Sequence, residues 1–156
     1  MPEAAEQSPV TLRILVAIDG SVYSMRAVEY VLRLAQANCA IEPHLLNVQL
    51  PIESGHVRQF IAREALEDYY REEGLAALKD AEAALQAANH PCATHIAVGN
   101  AAETIARYAL ELKFDLIVIG TKGRTGLRHV VMGSVATEVI KQSTVPVTVV
   151  KIASPT

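Results

Sequence analysis

The chain has few aromatic residues and no long run of positive charge or of apolar residues. Of its 156 residues 4% are aromatic, and none is tryptophan. This composition disfavours an aromatic-lined carbohydrate or nucleic-acid surface, and the formal net charge of −3 disfavours non-specific binding to DNA or RNA. No apolar stretch approaches the roughly 20 residues of a membrane span. We therefore expect neither a nucleic acid nor a membrane as a partner.

Cysteine is also scarce. Cys39 and Cys92 lie far apart, and no Cys or His stands near either at a zinc-like spacing. We interpret them as reduced thiols that help to fill gaps in the fold. The segment Met1–Ser8 lacks the basic start and apolar run of a secretory signal. We expect a cytoplasmic protein with a disordered N-terminal tail.

Short apolar runs alternate along the chain with stretches of helical periodicity. A parallel sheet buried on both faces has strands of this kind, so the fold class is α/β. We predict a doubly wound, Rossmann-like, five-stranded parallel sheet with helices on both faces, in three α/β/α layers. One domain is expected over residues 12–152, with tails at 1–11 and 153–156. The predicted strands are Leu12–Ile18, His44–Leu50, Ala93–Gly99, Phe114–Gly120 and Val145–Ile152.

The longest helical pattern covers residues 58–88. Gly74 interrupts it and is predicted to bend the helix or to divide it in two. Leu75, Leu78 and Leu85 are predicted on its buried face.

The segment "LIVIGTKGRTGLRHVVMGSVATEV" (Leu116–Val139) begins as a strand and ends as a helix, and its connection is long for that purpose. Backbone that surrounds a polyphosphate must turn several N–H groups inward, often at positive φ, which glycine does at low cost. Gly133 and Ser134 open the last helix, whose unpaired N–H groups and positive dipole end favour an anion. The segment therefore predicts a phosphate site. Its glycines are Gly120, Gly123, Gly126 and Gly133.

Other phosphate-binding sequence patterns are missing. The turn after the first strand reads "DGSVYS", with no G-x-G-x-x-G, and no GxxxxGK[ST] occurs in the chain. The third strand ends in Val98-Gly99-Asn100, with no aspartate to accept a phosphoryl group. A dinucleotide enzyme, a P-loop NTPase and a phospho-receiver domain are all disfavoured.

The spacing G-x2-G-x9-G-(S/T), from Gly120 to Ser134, resembles the ATP-binding signature of the universal stress protein family. The segments "ILVAIDGS", "GNAAETIARYA" and "DLIVIGTKG" are similar to that family too, and the resemblance covers Leu12 to Ile152. It implies a nucleotide-binding domain that holds ATP with Mg²⁺, acts in the stress response and forms a homodimer. It also implies a protein client that reads nucleotide occupancy.

The resemblance and the strand-end rule for α/β sheets together assign the nucleotide site. Asp19, after the first strand, is expected to accept both ribose hydroxyls, with helix capping as the alternative role. The family pairs adenine with main-chain groups at the position of Val48. No residue is assigned to catalysis or to a metal. The nucleotide-binding residues are Ile18, Asp19, Val48, Gly120, Thr121, Gly123, Arg124, Gly133, Ser134, Val135 and Ala136.

Several charged residues near the site have simpler roles as alternatives. Lys122, Arg124 and Arg128 are candidates to neutralise phosphates, with two of the three expected in solvent. His129 is given no catalytic role. Glu103 and Glu138 are interpreted as helix-surface residues.

A regulatory ATP-binding protein is the favoured function, and two others stay open. One is a slow ATPase or phosphotransferase, for which we find no base at the site. The other is a ligand-free dimer that acts through protein contacts alone. The apolar last strand, Val145 to Val150, is expected at a sheet edge, where a second copy would cover it. The alternative cover is the C-terminal tail.

Overall fold

The computed structural model describes residues 9–52, 55, 60–122 and 132–151 of the chain. Residues 9–11 are exposed and precede the first strand, while the rest of both predicted tails lies outside the described residues. The elements are, in order, β1 (Leu12–Ala17), α1 (Val22–Gln36), β2 (Ile41–Gln49), α2 (Arg63–Ala87), β3 (Ala93–Val98), α3 (Ala101–Glu111), β4 (Leu116–Gly120), α4 (Ser134–Gln142) and β5 (Val147–Val150).

The strands form one parallel sheet in the order β3-β2-β1-β4-β5. The chain winds outward from β1 to β3 and then returns to place β4 on the other side of β1. The winding direction therefore reverses between β1 and β4, which is where ligands of open α/β sheets bind. The predicted doubly wound fold is confirmed, and β5 lies at an edge as expected.

Two hydrophobic cores cover the two faces of the sheet. Because successive strand residues point to opposite faces, Ile14 and Val16 enter one core while Leu15 and Ala17 enter the other. Helices α1 and α2 pack on the first face, and helices α3 and α4 pack on the second. This alternation explains why the central strands β1 and β4 are almost continuously apolar in sequence.

Strand β2 begins three residues before the predicted His44, and it contains Pro43. The main-chain groups of odd-numbered residues in β2 face β3. Gln49 is an example, since its carbonyl accepts a hydrogen bond from Gly99 N. Pairing with β3 begins only at His44. Proline is tolerated at position 43 because its missing N–H has no neighbouring strand to serve.

Helix α2 is continuous through Gly74, so the predicted division in two does not occur. Gly74 is buried, and a Cβ at this position would lie 2.7 Å from the side chain of Ile96 on β3. The glycine allows the helix to approach the sheet closely. Leu75, predicted on the buried face, is 50% exposed, because that face runs through Gly74, Leu78 and Leu85 instead.

In the described ranges, no helix has both the length and the apolar character that crossing a bilayer requires.

Candidate functional site

A cavity of about 510 Å³ opens at the carboxyl edge of the sheet, where β1 and β4 diverge. Its volume falls within the range of about 300–1,000 Å³ that small-molecule sites occupy. The ends of β1, β2 and β4 and the first turns of α1, α3 and α4 all contribute to its wall. Every predicted site residue in the described ranges lines it: Ile18, Asp19, Val48, Gly120, Thr121, Gly133, Ser134, Val135 and Ala136.

Asp19 follows β1 and is held by the turn that leads into α1. Its Oδ1 accepts a hydrogen bond from Ser21 N at 2.9 Å. The cap of α1 is Ser21, whose Oγ accepts from Ser24 N at 3.2 Å. Asp19 therefore orients the cap residue without capping the helix itself. This arrangement leaves its second carboxylate oxygen available to the cavity.

Val48 lies where the ladder between β1 and β2 ends. The last bond of that ladder runs from Ile18 N to Leu46 O at 2.9 Å. Gly20, at φ +85°, then turns the chain away from β2. The main-chain N–H and C=O of Val48 face the side that β1 has left, and no hydrogen bond joins them to another described residue. A donor and an acceptor are thus presented together at the cavity wall.

Gly120 ends β4 beside the first turn of α1. A Cβ there would stand 2.6 Å from the carbonyl oxygen of Tyr23. Its φ is not positive, so the left-handed region is not the reason for a glycine here. Glycine is required at position 120 because two backbones come close together.

Thr121 joins three elements and is 3% exposed. Its N–H donates to Val150 O on β5 at 3.2 Å, and its carbonyl accepts from Gly133 N. This second bond attaches the start of α4 to the end of β4. The Gly133 amide is therefore already paired within the protein.

Helix α4 begins at Ser134, as predicted, with Gly133 as its N-cap residue at φ −70° and ψ 164°. Gly133 has no side chain to cap the helix, and no described side chain replaces it. The first intrahelical bond runs from Thr137 N to Gly133 O at 3.1 Å. The amides of Ser134, Val135 and Ala136 precede that bond, so they have no partner in the helix. They belong to residues that line the cavity.

The comparisons with known proteins agree with this architecture. Residues 11–151 match the model of the universal stress protein family. The chain belongs to the universal stress protein family. It is similar to universal stress protein MJ0531 of Methanocaldococcus jannaschii, with 32% identity over 148 residues that cover 89% of this chain and 81% of that protein.

Solved structures have the same fold as this universal stress protein. Protein MJ0577 of Methanocaldococcus jannaschii superposes with a TM-score of 0.79 at 29% identity, covering 92% of this chain and 98% of that one. A universal stress protein family protein from Arabidopsis thaliana, with AMP bound, superposes with a TM-score of 0.66 at 20% identity, covering 92% and 93%. At 20% identity, the similarity to the Arabidopsis structure supports the fold alone.

The predicted site of this universal stress protein extends beyond the described residues. Gly123 and Arg124, with the neighbouring Gly126, Arg128 and His129, lie outside the described residues. Lys122 lines the cavity. Glu103 and Glu138 do not line it: Glu103 is on the exposed face of α3, and Glu138 lies 3.4 Å from Lys141 Nζ on α4.

Some cavity residues of this universal stress protein were not predicted from its sequence. Asn47 is 2% exposed, and its Nδ2 donates to Ile18 O at 2.8 Å. Its Oδ1 accepts from Gln49 Nε2 at 2.6 Å. The available signal was a polar residue between the apolar Leu46 and Val48 of β2. Tyr69, on α2, also lines the cavity, next to Tyr70, whose hydroxyl accepts from Ile52 N at 2.8 Å.

A second polar cluster in this universal stress protein lies away from the cavity, on β2 and β3. His44 Nδ1 is 2.9 Å from His95 Nε2, and His44 Nε2 is 2.9 Å from Glu42 Oε1. Because an ionised Glu42 can only accept, the neutral form of His44 that fits both contacts carries its proton on Nε2 and accepts from His95 at Nδ1. Burial lowers the pKa of His95, helped by His44 and Arg13. The hydrogen bond from His44 is the main cause of a lowered pKa at Glu42.

No group of three or more His, Cys, Asp or Glu side chains is arranged for a metal ion within the described part of this universal stress protein.

Proposed function

We propose that this universal stress protein binds ATP in the cavity at the carboxyl edge of its sheet. The observation that carries the proposal is the uncapped N-terminus of α4 beside that cavity. Three successive amides without helical partners, together with the positive end of the helix dipole, form an anion site. A mononucleotide with a phosphate chain fits both the anion site and the size of the cavity.

Each part of the nucleotide has a matching group in the protein. The amides of Ser134, Val135 and Ala136 would hold the phosphates, with the Lys122 ammonium adding positive charge. The free oxygen of Asp19 would accept the ribose hydroxyls. The donor and acceptor of Val48 would pair with the adenine edge. Mg²⁺ would arrive bound to phosphate oxygens, since it keeps several waters and needs few protein ligands.

The preference for ATP over AMP is argued from the groups at the anion site of this chain. The Arabidopsis relative is described with AMP bound, which supports an adenine nucleotide as a ligand of this fold. An anion site of three amides and one lysine suits more than one phosphate group. We therefore favour ATP over AMP. Such binding would make the protein a cytoplasmic sensor in the stress response, with a protein client that reads its occupancy.

Fast phosphoryl transfer is disfavoured by the same geometry. Such a reaction needs a base or a positioned water at the γ-phosphate. Among the described residues that line the cavity, Asp19 is the one carboxylate, and it is assigned to the ribose. We expect ATP turnover far below the typical enzyme median of about 10 per second. A turnover of that order in a phosphate-release assay would favour the enzyme instead.

We also propose that the protein is a homodimer through β5. Val150 O accepts from Thr121 N and Pro146 O accepts from Ile117 N, so the even-numbered residues of β5 bond to β4. The N–H groups of Val147 and Val149 therefore point away from the sheet. An apolar edge whose donors have no partner among the described residues favours pairing with a second copy.

Titration calorimetry with ATP, ADP and AMP tests the nucleotide proposal. Gly133→Val is the decisive variant, because valine readily adopts φ −70° and ψ 164° and adds a branched side chain at the N-cap position, directly before the α4 amides. Gln142→Val is the matched control, since it adds the same residue at the exposed far end of the same helix.

We expect micromolar ATP binding in the wild type and in Gln142→Val, and its loss in a folded Gly133→Val. Equal affinity in all three proteins would show that α4 does not hold the phosphates. Binding of none of the three nucleotides to the wild type would favour the ligand-free dimer.

A further inference from the structure

The side chain of Asn47 occupies a position that a main-chain bond would otherwise take. The last bond of the ladder between β1 and β2 runs from Ile18 N to Leu46 O. In a regular parallel ladder, the next bond would run from Val48 N to Ile18 O. The structure has no such bond, and the Ile18 carbonyl accepts from Asn47 Nδ2 at 2.8 Å instead. The ladder thus stops one bond early, and the side chain of a neighbouring residue takes its place.

Asn47 is fixed firmly in this position. It is 2% exposed, and its other amide atom, Oδ1, accepts from Gln49 Nε2 at 2.6 Å. Both ends of the amide are therefore paired, and the orientation in which Nδ2 faces Ile18 is the one that satisfies both bonds. A buried side chain with two good hydrogen bonds stays in one rotamer.

The consequence appears at Val48. Its N–H has no partner among the described residues, although Val48 is only partly exposed and lines the cavity. Buried or half-buried main-chain N–H groups are nearly always paired in native proteins. An unpaired one beside a cavity points to a ligand that supplies the acceptor.

We propose that Asn47 is a positioning residue that keeps the Val48 main chain free to read the base of the nucleotide. This inference rests on the proposed nucleotide site and adds the source of its base selectivity. An N–H beside a C=O matches the adenine edge, which offers an acceptor nitrogen and an amino donor. The same pair faces the wrong groups on guanine, which offers an N–H and a carbonyl at the corresponding positions.

Amide hydrogen exchange on the wild type tests the proposal without a variant. In nucleotide-free protein the Val48 amide should exchange at least about tenfold faster than the Leu46 amide, which lies within the ladder. Saturating ATP should slow Val48 selectively. Equal protection of the two amides without nucleotide would overturn the proposal.

Asn47→Leu provides the second test, since leucine has a similar size and no polar atoms. The Ile18 carbonyl would be released, and the Val48 amide should become protected in the absence of ATP. ATP should bind about tenfold more weakly, and the preference for ATP over GTP should disappear. Affinity for inorganic tripolyphosphate should be unchanged, because α4 is untouched; a merely structural loss would weaken both ligands.

The inference would be overturned if Asn47→Leu preferred ATP over GTP as strongly as the wild type does. The proposed function fails by a different result, namely that the wild type binds neither ATP nor tripolyphosphate. The exchange rate of Val48 in nucleotide-free protein keeps the two failures distinguishable, because it reports the interrupted ladder even when no nucleotide binds.

Discussion

Gly120 and Gly133 bound the connection between β4 and α4, and their environments differ. At Gly120 the backbone of α1 comes so close that a Cβ would meet a carbonyl oxygen at 2.6 Å. At Gly133 the dihedral angles suit any residue, and the residue lies at the cavity wall directly before the α4 amides. We therefore expect the first glycine to be needed for packing and the second for access to the phosphate site.

This difference predicts a large loss of stability for alanine at position 120 and almost none for alanine at position 133. Gly120→Ala should lower the free energy of unfolding by about 1–3 kcal/mol, because β4 or α1 must shift to admit the methyl group. Gly133→Ala should change it by no more than about 0.5 kcal/mol. Urea denaturation of the two variants measures both effects. Equal stability of Gly120→Ala and the wild type would contradict the close contact with Tyr23.

Asp19→Asn tests the role of the carboxylate in nucleotide binding. Asparagine keeps an oxygen for Ser21 N but presents an amide nitrogen in place of the second acceptor. ATP affinity should fall about tenfold, which corresponds to one or two hydrogen bonds. Calorimetry should also show that 2′,3′-dideoxy-ATP, which lacks both ribose hydroxyls, binds the variant and the wild type with similar affinities. An unchanged ATP affinity would remove Asp19 from the ribose site.

The elements show what the sequence could and could not predict. Alternating apolar runs and helical periodicity were enough to place the strands and the doubly wound sheet. The ends of parallel strands meet at one edge, so Asp19 and the start of α4 could also be brought together from sequence. Gly74 could not be interpreted, because the reason for it is Ile96, which is distant in the chain and close only in the fold.

The residues around the proposed contact with the nucleotide base were harder to predict. Asn47 is one of several polar residues in β2, and sequence alone does not tell which of them is buried. Its partner is a main-chain carbonyl on another strand, which has no signature in the sequence. Prediction therefore succeeded where periodicity and strand ends decide the structure, and it failed where single contacts between distant segments decide it.

From the contact between His44 on β2 and His95 on β3, we predict that the protein loses stability on acidification. The pKa of His95 is lowered from its ordinary 6.5, mainly by burial, so the unfolded chain binds more protons than the folded protein below that pH. The contribution of His95 is present above about pH 6.5 and is lost as pH falls toward its folded-state pKa. The pKa of Glu42 is also lowered, so this residue too loses its contribution to stability on acidification, but in more acidic solution.

Urea midpoints at pH 7.5 and 5.5 measure this effect. The wild type should be less stable at pH 5.5, and His95→Gln should show a smaller difference between the two values, because glutamine does not titrate. A midpoint that stays constant or rises on acidification would contradict the assignment to His95.

At the scale of the whole molecule, the open edge of β5 determines the predicted assembly. Sedimentation velocity at micromolar concentration should show a species of twice the chain mass. Val149→Pro should be monomeric, because proline removes an N–H that points away from the sheet. Val149→Ala is its control, since it shortens the same side chain but keeps that donor. A monomeric wild type, or a proline variant that dimerises as well, would contradict the proposed interface.

The central claim is that main-chain amides at the start of α4 hold a phosphate chain. Nitrogen–proton correlation spectra recorded during titration with ATP, tripolyphosphate and adenosine test it most directly. We predict that ATP and tripolyphosphate shift the amide signals of Ser134, Val135 and Ala136, and that adenosine leaves them unchanged. Saturation with ATP that leaves all three signals in place would contradict the account.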